Sequence, residues 1–283
     1  MFQNQIKTVV LLGALSGLLL VVGNLLGGMN GLIIAFVIAI GINFFSYWYS
    51  DKLVLKMYKA KPITESQSPK LFAIVKGLSK KAKIPMPKVY IIPTNNPNAF
   101  ATGRNPEHAA VACTQGILQM LDKDELTGVI AHELSHIKHR DILISSVAAT
   151  IATVIAFVAS MARFAALFGG FGGRDNDNSG FIYIIVLGIL TPIIATVLQL
   201  AISRSREYLA DEGAAKITKK PKALASALQK LESGAKHNPL RFGNPTTSNI
   251  FISNPFRAGG MMKLFSTHPP TAERVKRLEN LKI

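Results

Sequence analysis

The sequence predicts a mainly α-helical membrane protein that crosses the bilayer several times and carries a small antiparallel β-sheet. Three observations support this fold class. Hydrophobic residues make up 49% of the 283 residues, and they are gathered into long stretches without charge. Amphipathic helical patterns fill much of the polar segments between these stretches. Short alternating segments in the first polar region have the period of β-strands.

Four uncharged apolar runs are long enough to cross a membrane: residues 9–26, 32–48, 142–162 and 181–202. A transmembrane helix needs about 20 apolar residues, so we expect four hydrophobic helices arranged as two hairpins. Only Lys7 flanks the first run, and no cleavage site followed by a polar region separates it from the second. The first run is therefore not predicted to be a signal peptide. A buried or re-entrant hairpin is the alternative for the last two runs.

The basic residues that flank the runs predict the orientation. Loops 27–31 and 169–180 contain a single basic residue, whereas six follow the second and fourth runs: Lys52, Lys56, Lys59, Lys61, Arg204 and Arg206. Basic residues stay on the cytoplasmic side of a membrane. Both termini and the two polar segments are therefore predicted to be cytoplasmic.

The net charge indicates the type of binding partner, and the cysteine content indicates the redox state of the compartment. A net charge of +16 in a soluble domain would suggest nucleic-acid binding. Beside four apolar runs, it indicates instead an attraction to anionic lipid headgroups, so we expect a lipid bilayer as partner and no nucleic acid. The single cysteine, Cys113, cannot form an internal disulfide, which fits a reducing compartment.

The first polar segment is predicted to contain a small sheet. Residues 88–93, 98–102 and 109–114 have the composition of strands, and a Gly-Arg-Asn-Pro turn at 103–106 separates the last two. We expect these strands to pair in an antiparallel sheet that lies between helices.

A predicted helix after the sheet carries candidate metal ligands and a candidate general base. Asp122 and Glu125 have the spacing of a capping box, and apolar residues then recur every three or four positions. His132 and His136 are four residues apart, which places both imidazoles on one face as two ligands of a zinc ion require. Glu133 can act as general base toward the attacking water. The alternative is a surface helix with two solvated histidines.

A catalytic zinc takes three protein ligands and leaves one position open. His139 and Asp141 are candidates for the third ligand, whereas Ile142 excludes the pattern in which a third histidine stands at that position. Glu207 is favoured because a hairpin of the third and fourth runs would bring its helix beside the histidine helix. Asp211, four residues later, would then accept a hydrogen bond from a ligand histidine. Alternatively, these acids only form ion pairs with neighbouring arginines.

Four motifs in this order form a family pattern: NAFATG at 98–103, HELSHIKHRD at 132–141, SRSREYLAD at 203–211 and STHPP at 266–270. Together they resemble the HtpX-type membrane metalloproteases of the gluzincin group, which are distantly related to CAAX-processing proteases. The resemblance covers nearly the whole chain, with no departure at the motif positions. Only the loop at 238–260, rich in Asn, Pro, Gly and Ser, does not align with the family pattern.

The resemblance implies a cytoplasmic, zincin-like catalytic domain that holds one Zn2+ per chain. His132, His136 and Glu207 would be the zinc ligands, Glu133 the base and proton shuttle, and Asp211 the residue that orients a ligand histidine. The chain would then divide into four parts: a transmembrane hairpin at 1–49, a first catalytic part at 50–141, a second transmembrane hairpin at 142–202 and a second catalytic part at 203–283.

Two further elements have predicted roles at this centre. Asn98, Ala99, Phe100 and Ala101 would form an edge strand that aligns an extended substrate by strand addition; an ordinary strand with one core Phe is the alternative. His268 would donate a hydrogen bond to the developing oxyanion, unless it is a capping or packing residue.

The predicted function is that of a zinc-dependent endopeptidase in the bacterial inner membrane. The resemblance implies membrane or unfolded proteins as substrates, and a role in membrane quality control and stress. The oligomeric state is left open. An inactive adaptor that keeps its zinc is one alternative, although the intact Glu133 argues against it. A transporter is another, but the apolar runs contain no Asp, Glu or Lys.

Overall fold

The computed structural model describes residues 2–148, 151, 204–240, 242, 247, 250–253 and 269–282. His268 and nearly all of the second apolar hairpin predicted at 142–202 lie outside the described residues; within that hairpin, residues 142–148 are helical. The elements are α1 Phe2–Met57, β1 Lys61–Pro62, α2 Pro69–Ala82, β2 Lys88–Ile92, β3 Ala99–Gly103, β4 Ala109–Thr114, α3 Gln115–Met120, α4 Lys123–Lys138, α5 Arg204–Thr218, α6 Pro221–His237 and α7 Thr271–Glu279.

Helix α1 folds back on itself. Asn43 Nδ2 donates a hydrogen bond to Ser16 Oγ at 2.8 Å, whereas a straight helix would separate these residues by about 40 Å. The reversal lies at Gly28, whose φ of +54° is left-handed. Among the described residues, one stretch, Gly28–Met57, is long and apolar enough to cross a membrane. Its large apolar side chains, such as Ile34 and Val37, are mostly exposed.

The sheet is mixed, so the prediction of an antiparallel sheet is wrong for one of its three strand pairs. The strand order is β1-β2-β4-β3. β1 with β2 and β3 with β4 are antiparallel, but β2 and β4 are parallel. The hairpin of β3 and β4 places β3 on the outside, so that β4 lies beside β2 and runs in the same direction. Alternation along a strand identifies its two faces but not the neighbour at each edge.

Helix α4 lies at the centre of the described residues and contacts α2, α5, α6 and the edge strand β3. Its predicted capping box is confirmed: the Asp122 side chain accepts from the backbone N–H groups of Asp124 and Glu125, and the Glu125 side chain accepts from the Asp122 N–H. The main hydrophobic core forms around α4, and the helix is buried over most of its length. A helix held in this way is a rigid support for side chains that must meet in a fixed geometry.

Candidate metal centre

The candidate zinc ligands and the candidate base on helix α4 face the protein interior rather than solvent. His132 and Glu133 are buried, and His136 keeps only 16% of its side chain exposed. Helix α5 packs against α4 and brings Glu207, also buried, to the same place. The close approach is possible because Gly213 of α5 faces Ser135 of α4, where a Cβ would lie 2.5 Å from the Ser135 Oγ.

The side chains of His132, His136 and Glu207 converge on one point, with one ligand atom from each lying within 4.8 Å of the others. The two histidine Nε2 atoms are 3.1 Å apart. The Glu207 carboxylate oxygens lie 3.6 Å from Nε2 of His132 and 3.5 Å from Nε2 of His136. Two imidazoles and one carboxylate form the donor set of many catalytic zinc sites, which leave the fourth position open.

The tautomers of the two histidines also suit a cation. His132 Nδ1 lies 2.9 Å from Asp211, and His136 Nδ1 lies 3.1 Å from Asp141. An ionised carboxylate only accepts hydrogen bonds, so each Nδ1 carries the proton and each Nε2 presents a lone pair. Two lone pairs that face each other repel, so the two rings favour a positive charge between them, either a proton on His132 or a metal ion. Zn–N bonds of about 2.0–2.1 Å in tetrahedral geometry separate the nitrogens by roughly 3.4 Å.

The electrostatics of the centre favour positive charge. Burial on its own would lower the pKa of His132, but hydrogen bonds to Asp211 and Glu207 outweigh it and raise the pKa to about 9. Burial raises the pKa of Glu133, an effect that the nearby histidines only partly offset. The Glu133 carboxylate also accepts a hydrogen bond from the backbone of Ala101 in β3. A buried carboxylate with a raised pKa, beside a cation site, is suited to accept a proton from water.

Arg274 of α7 belongs to this centre, although no sequence motif pointed to it. Its guanidinium donates to Asp211 at 2.9 and 2.7 Å, and its Nη1 lies 3.7 Å from Glu207. Burial would raise the pKa of Asp211, but Arg274 and His132 together hold it below its usual range. One signal was available: Arg274 lies on the apolar face of α7 beside Val275 and Leu278.

Asp141 was a candidate third ligand, but the structure places it behind His136, at the ring nitrogen that faces away from Glu207. It reaches this position because α4 ends at Lys138 and the backbone turns at Arg140, whose φ is +60°. Arg206 approaches the other oxygen of Asp141, with 3.8 Å between Nη1 and Oδ1. No pattern in the sequence predicted that Arg206 would lie behind a ligand histidine.

The edge strand β3 is partly covered by the chain's own residues 250–253. Ile252 N–H donates to the Ala99 carbonyl at 3.2 Å, and the Asn98 side chain donates to the Ser253 carbonyl at 2.6 Å. Phe251 packs on Phe100, with 5.1 Å between ring centroids. Since 98, 99 and 100 face 253, 252 and 251, the two segments run antiparallel. The predicted substrate edge is therefore occupied at Asn98 and Ala99, while Ala101 lies beside Glu133.

The fold and the centre are those of a metalloprotease, and comparison with known proteins identifies the family. A sequence profile of peptidase family M48 matches residues 65–282. The chain is 53% identical over 278 residues to "Protease HtpX homolog" of Thermococcus sibiricus, covering 98% of this chain and 95% of the relative. It is 52% identical over 276 residues to the protein of the same description in Pyrococcus furiosus, with 98% and 95% covered. The chain belongs to peptidase family M48.

The fold also has a counterpart among solved structures. The crystal structure of S. mikatae Ste24p superimposes with a TM-score of 0.52 at 19% sequence identity. The match covers 98% of this chain and 66% of that chain. At this identity the likeness concerns the fold alone.

Proposed function

We propose that this protein is a zinc-dependent endopeptidase fixed in the inner membrane, which cleaves membrane and unfolded proteins at the cytoplasmic face. The observation that carries the proposal is the convergence of His132, His136 and Glu207 on one point beside the buried Glu133. The three would hold one Zn2+ per chain. Bound zinc supplies Lewis acidity that makes water nucleophilic near neutral pH and stabilises developing negative charge.

The chain's own residues would complete the reaction. Glu133 would take the proton of the attacking water at its carboxylate and pass it to the leaving amine. Asp211, held by Arg274, would keep His132 in the tautomer that presents Nε2. His268 would donate to the oxyanion: it lies three residues before α7, the helix that carries Arg274 to the centre. Because Glu133 is buried, bulk water is kept from exchanging the proton that its carboxylate carries.

The substrate would lie extended along the outer edge of β3, with Asn98, Ala99, Phe100 and Ala101 aligning it by strand addition. Two facts support this placement: β3 is the strand next to α4, and its Ala101 backbone contacts Glu133. Residues 250–253 now pair with Asn98 and Ala99, so a peptide would use the Ala101 end or displace that segment. Unfolded segments suit this mode because their backbone groups are free to pair.

The membrane part of the proposal rests on α1 and on charge. The exposed apolar side chains of Gly28–Met57 require an apolar environment, and a bilayer would supply it. The hairpin in α1 would form the first two spans, and the runs at 142–162 and 181–202 the other two. The segments 50–141 and 203–283 would form one catalytic domain on the cytoplasmic face, which is the side of the flanking basic residues. Removal of damaged membrane proteins under stress is the corresponding cellular role.

The test compares wild type with Glu133→Gln and Glu207→Ala, each as the full chain purified in detergent. Zinc content is measured by metal analysis, and cleavage is followed on casein with and without a chelator. We expect one zinc in wild type and in Glu133→Gln, with chelator-sensitive cleavage only in wild type, and little zinc in Glu207→Ala. Cleavage that survives in Glu133→Gln would overturn the role of this residue. Zinc without cleavage in wild type would favour an adaptor.

A further inference from the structure

Asp141 and Arg206 form a buried chain of contacts behind one of the two histidines. The Asp141 carboxylate lies 3.1 Å from Nδ1 of His136 with one oxygen and 3.8 Å from Nη1 of Arg206 with the other. Only 7% of the Asp141 side chain and 11% of the Arg206 side chain are exposed. Arg206, Asp141 and His136 thus form a chain of contacts that ends at the metal centre.

The same order of residue types stands behind the other histidine, where Arg274 holds Asp211 and Asp211 faces His132. Each ligand histidine is therefore backed by an aspartate, and each aspartate by an arginine. A ligand histidine whose second nitrogen donates to a carboxylate is fixed in tautomer and in ring orientation. Because the arrangement occurs at both histidines, we infer that it orients their rings for metal binding.

Arg206 is largely buried, which indicates a role beyond keeping the surface soluble. Its two terminal guanidinium nitrogens are inaccessible, and neither has a hydrogen-bond partner among the described residues. Taking such a charge out of water costs free energy unless nearby charges compensate it. The compensating charges are Asp141 and Glu207. An arginine required only for solubility would remain exposed, as Arg204 does two residues earlier. The Arg206 charge is thus retained for its effect on acids at the centre.

The pair also joins two distant points of the chain. Asp141 immediately precedes the apolar run at 142–162, and Arg206 follows the run at 181–202 by four residues. His136 lies on α4 and Glu207 on α5. Their ligand atoms can meet only if a contact fixes the position of one helix relative to the other. The Asp141–Arg206 contact supplies such a link behind His136, as the Arg274–Asp211 contact does behind His132.

We propose that Asp141 and Arg206 are positioning residues: Asp141 fixes the His136 ring for metal binding, and Arg206 holds Asp141 in place. The inference rests on the proposed zinc site. Arg206 does not touch the metal or the substrate in this role. Its positioning effect runs through Asp141, whereas its positive charge near Glu207 only opposes a bound cation. Its removal must therefore not weaken metal binding further once Asp141 is changed.

The test measures the zinc dissociation constant of the full chain in detergent by competition with a chromophoric chelator. The variants are Asp141→Asn, Arg206→Gln and the double variant. Loss of an orienting partner of a ligand weakens metal binding about 10- to 100-fold, which we expect for Asp141→Asn. We expect a smaller loss for Arg206→Gln, and a double variant no weaker than Asp141→Asn alone. Losses that multiply in the double variant would overturn the proposal.

The sign of the Arg206→Gln effect separates positioning from simple charge repulsion. Removing a positive charge near a cation site raises its affinity by Coulomb's law, so repulsion predicts tighter binding whereas positioning predicts weaker binding. Unchanged or tighter zinc binding in Arg206→Gln would overturn the proposal. A changed visible absorption spectrum of the cobalt-substituted variant at saturating metal would support it, because that spectrum reports ligand geometry.

Two controls exclude general damage. Lys220→Gln removes a different ion pair, that between Lys220 and Asp124 at 2.6 Å, in which both side chains are more than half exposed; zinc affinity should not change. Removing the partner of the buried Asp141 should lower the thermal midpoint of metal-free Arg206→Gln, but the variant should remain folded at the temperature of the zinc measurement; a variant unfolded at that temperature would assign the loss to folding and overturn the proposal. Arg206→Lys, which keeps the charge, should recover part of the affinity. Wild type without zinc would contradict the proposed function instead.

Discussion

Arg274 on α7 donates hydrogen bonds from Nε and Nη2 to the two oxygens of Asp211 on α5, at 2.9 and 2.7 Å. Both side chains are buried, and Asp211 also lies 2.9 Å from Nδ1 of His132. The last helix of the chain is thereby tied to the first ligand. Arg274 Nη1 also donates to the carbonyl of Ile252 at 3.3 Å, so the same guanidinium holds the segment that covers β3.

Replacing Arg274 by Met should destabilise the protein strongly. The change leaves the Asp211 carboxylate buried without its cation, which costs about 3–5 kcal/mol of unfolding free energy. Denaturant unfolding of the metal-free protein measures this loss. Arg277→Gln is the matched control, because Arg277 lies on the same helix but is 58% exposed. Its stacking on Tyr208 is worth at most about 1 kcal/mol. Equal losses in the two variants would refute the buried role of Arg274.

Gly213→Ala should push apart the two helices that carry the ligands. The new Cβ would lie 2.5 Å from Oγ and 3.2 Å from Cβ of Ser135, and overpacking of this kind costs about 1–3 kcal/mol. We expect lower stability and weaker zinc binding, with partial recovery in the double variant with Ser135→Ala. Thermal unfolding and chelator competition measure the two effects.

Gly77→Ala is the control for this substitution. Gly77 lies on the exposed side of α2, and a Cβ there meets nothing within 4 Å. Alanine is favoured over glycine inside a helix by about 0.5–1 kcal/mol, so this variant should gain stability and keep its zinc affinity. A loss in Gly77→Ala as large as that in Gly213→Ala would mean that helix packing at Ser135 is not the cause.

The parts of the centre that depend on local spacing could be predicted from the sequence, and the long-range parts could not. His132 and His136 share a face because they are four residues apart, and the capping box at Asp122 has a fixed spacing. Asp141 is five residues from His136, which would place it on another face of a continuous helix. It faces His136 only because the backbone adopts a left-handed conformation at Arg140, where no glycine marks the turn.

The sheet shows the same limit on local patterns. The segments that form β2, β3 and β4 were recognisable by alternation, but the parallel pairing of β2 with β4 depends on which edge of β4 remains available. The pairing of Ile252 with Ala99 joins positions 153 residues apart in the chain. No periodicity in either segment indicates that contact, because both are short and neither alternates with polar residues.

Glu125 should make stability depend on pH. Burial would raise its pKa, but hydrogen bonds from Lys230, Ser226 and the Asp122 backbone lower it overall. A carboxyl group whose pKa is lower in the folded state stabilises the fold above its unfolded pKa of about 4.3. That contribution is lost as the pH falls through the folded pKa.

The measurement is the unfolding free energy of the metal-free protein from neutral pH down to pH values below 4, for wild type and Glu125→Gln. Wild type should be the more stable near pH 6, and the difference should shrink as the pH falls. Ser226→Ala, which removes one of the hydrogen bonds, should show a smaller difference from wild type near pH 6. A constant difference between wild type and Glu125→Gln at all pH values would contradict the role of this carboxylate.

Phe251→Ala should release the segment that covers the proposed substrate edge. The Phe251 ring is buried against Tyr58 and Phe100, with edge-to-face contacts at 4.7 and 5.1 Å between centroids. Losing a buried Phe costs about 3–5 kcal/mol, and the same loss weakens the hold of residues 250–253 on β3. The unfolding free energy should fall, and kcat/KM for an unfolded substrate should rise at a temperature where the variant remains folded.

Phe251→Leu is the control for this last change, because leucine fills most of the space of the buried ring and costs less than alanine. It keeps the segment anchored, so its kcat/KM should stay near that of wild type. Unchanged or lower kcat/KM in Phe251→Ala, with zinc content at the wild-type level, would mean that substrates do not compete with residues 250–253 for Asn98 and Ala99. The substrate would then pair only at the Ala101 end of β3, next to Glu133, where this segment makes no backbone hydrogen bond among the described residues.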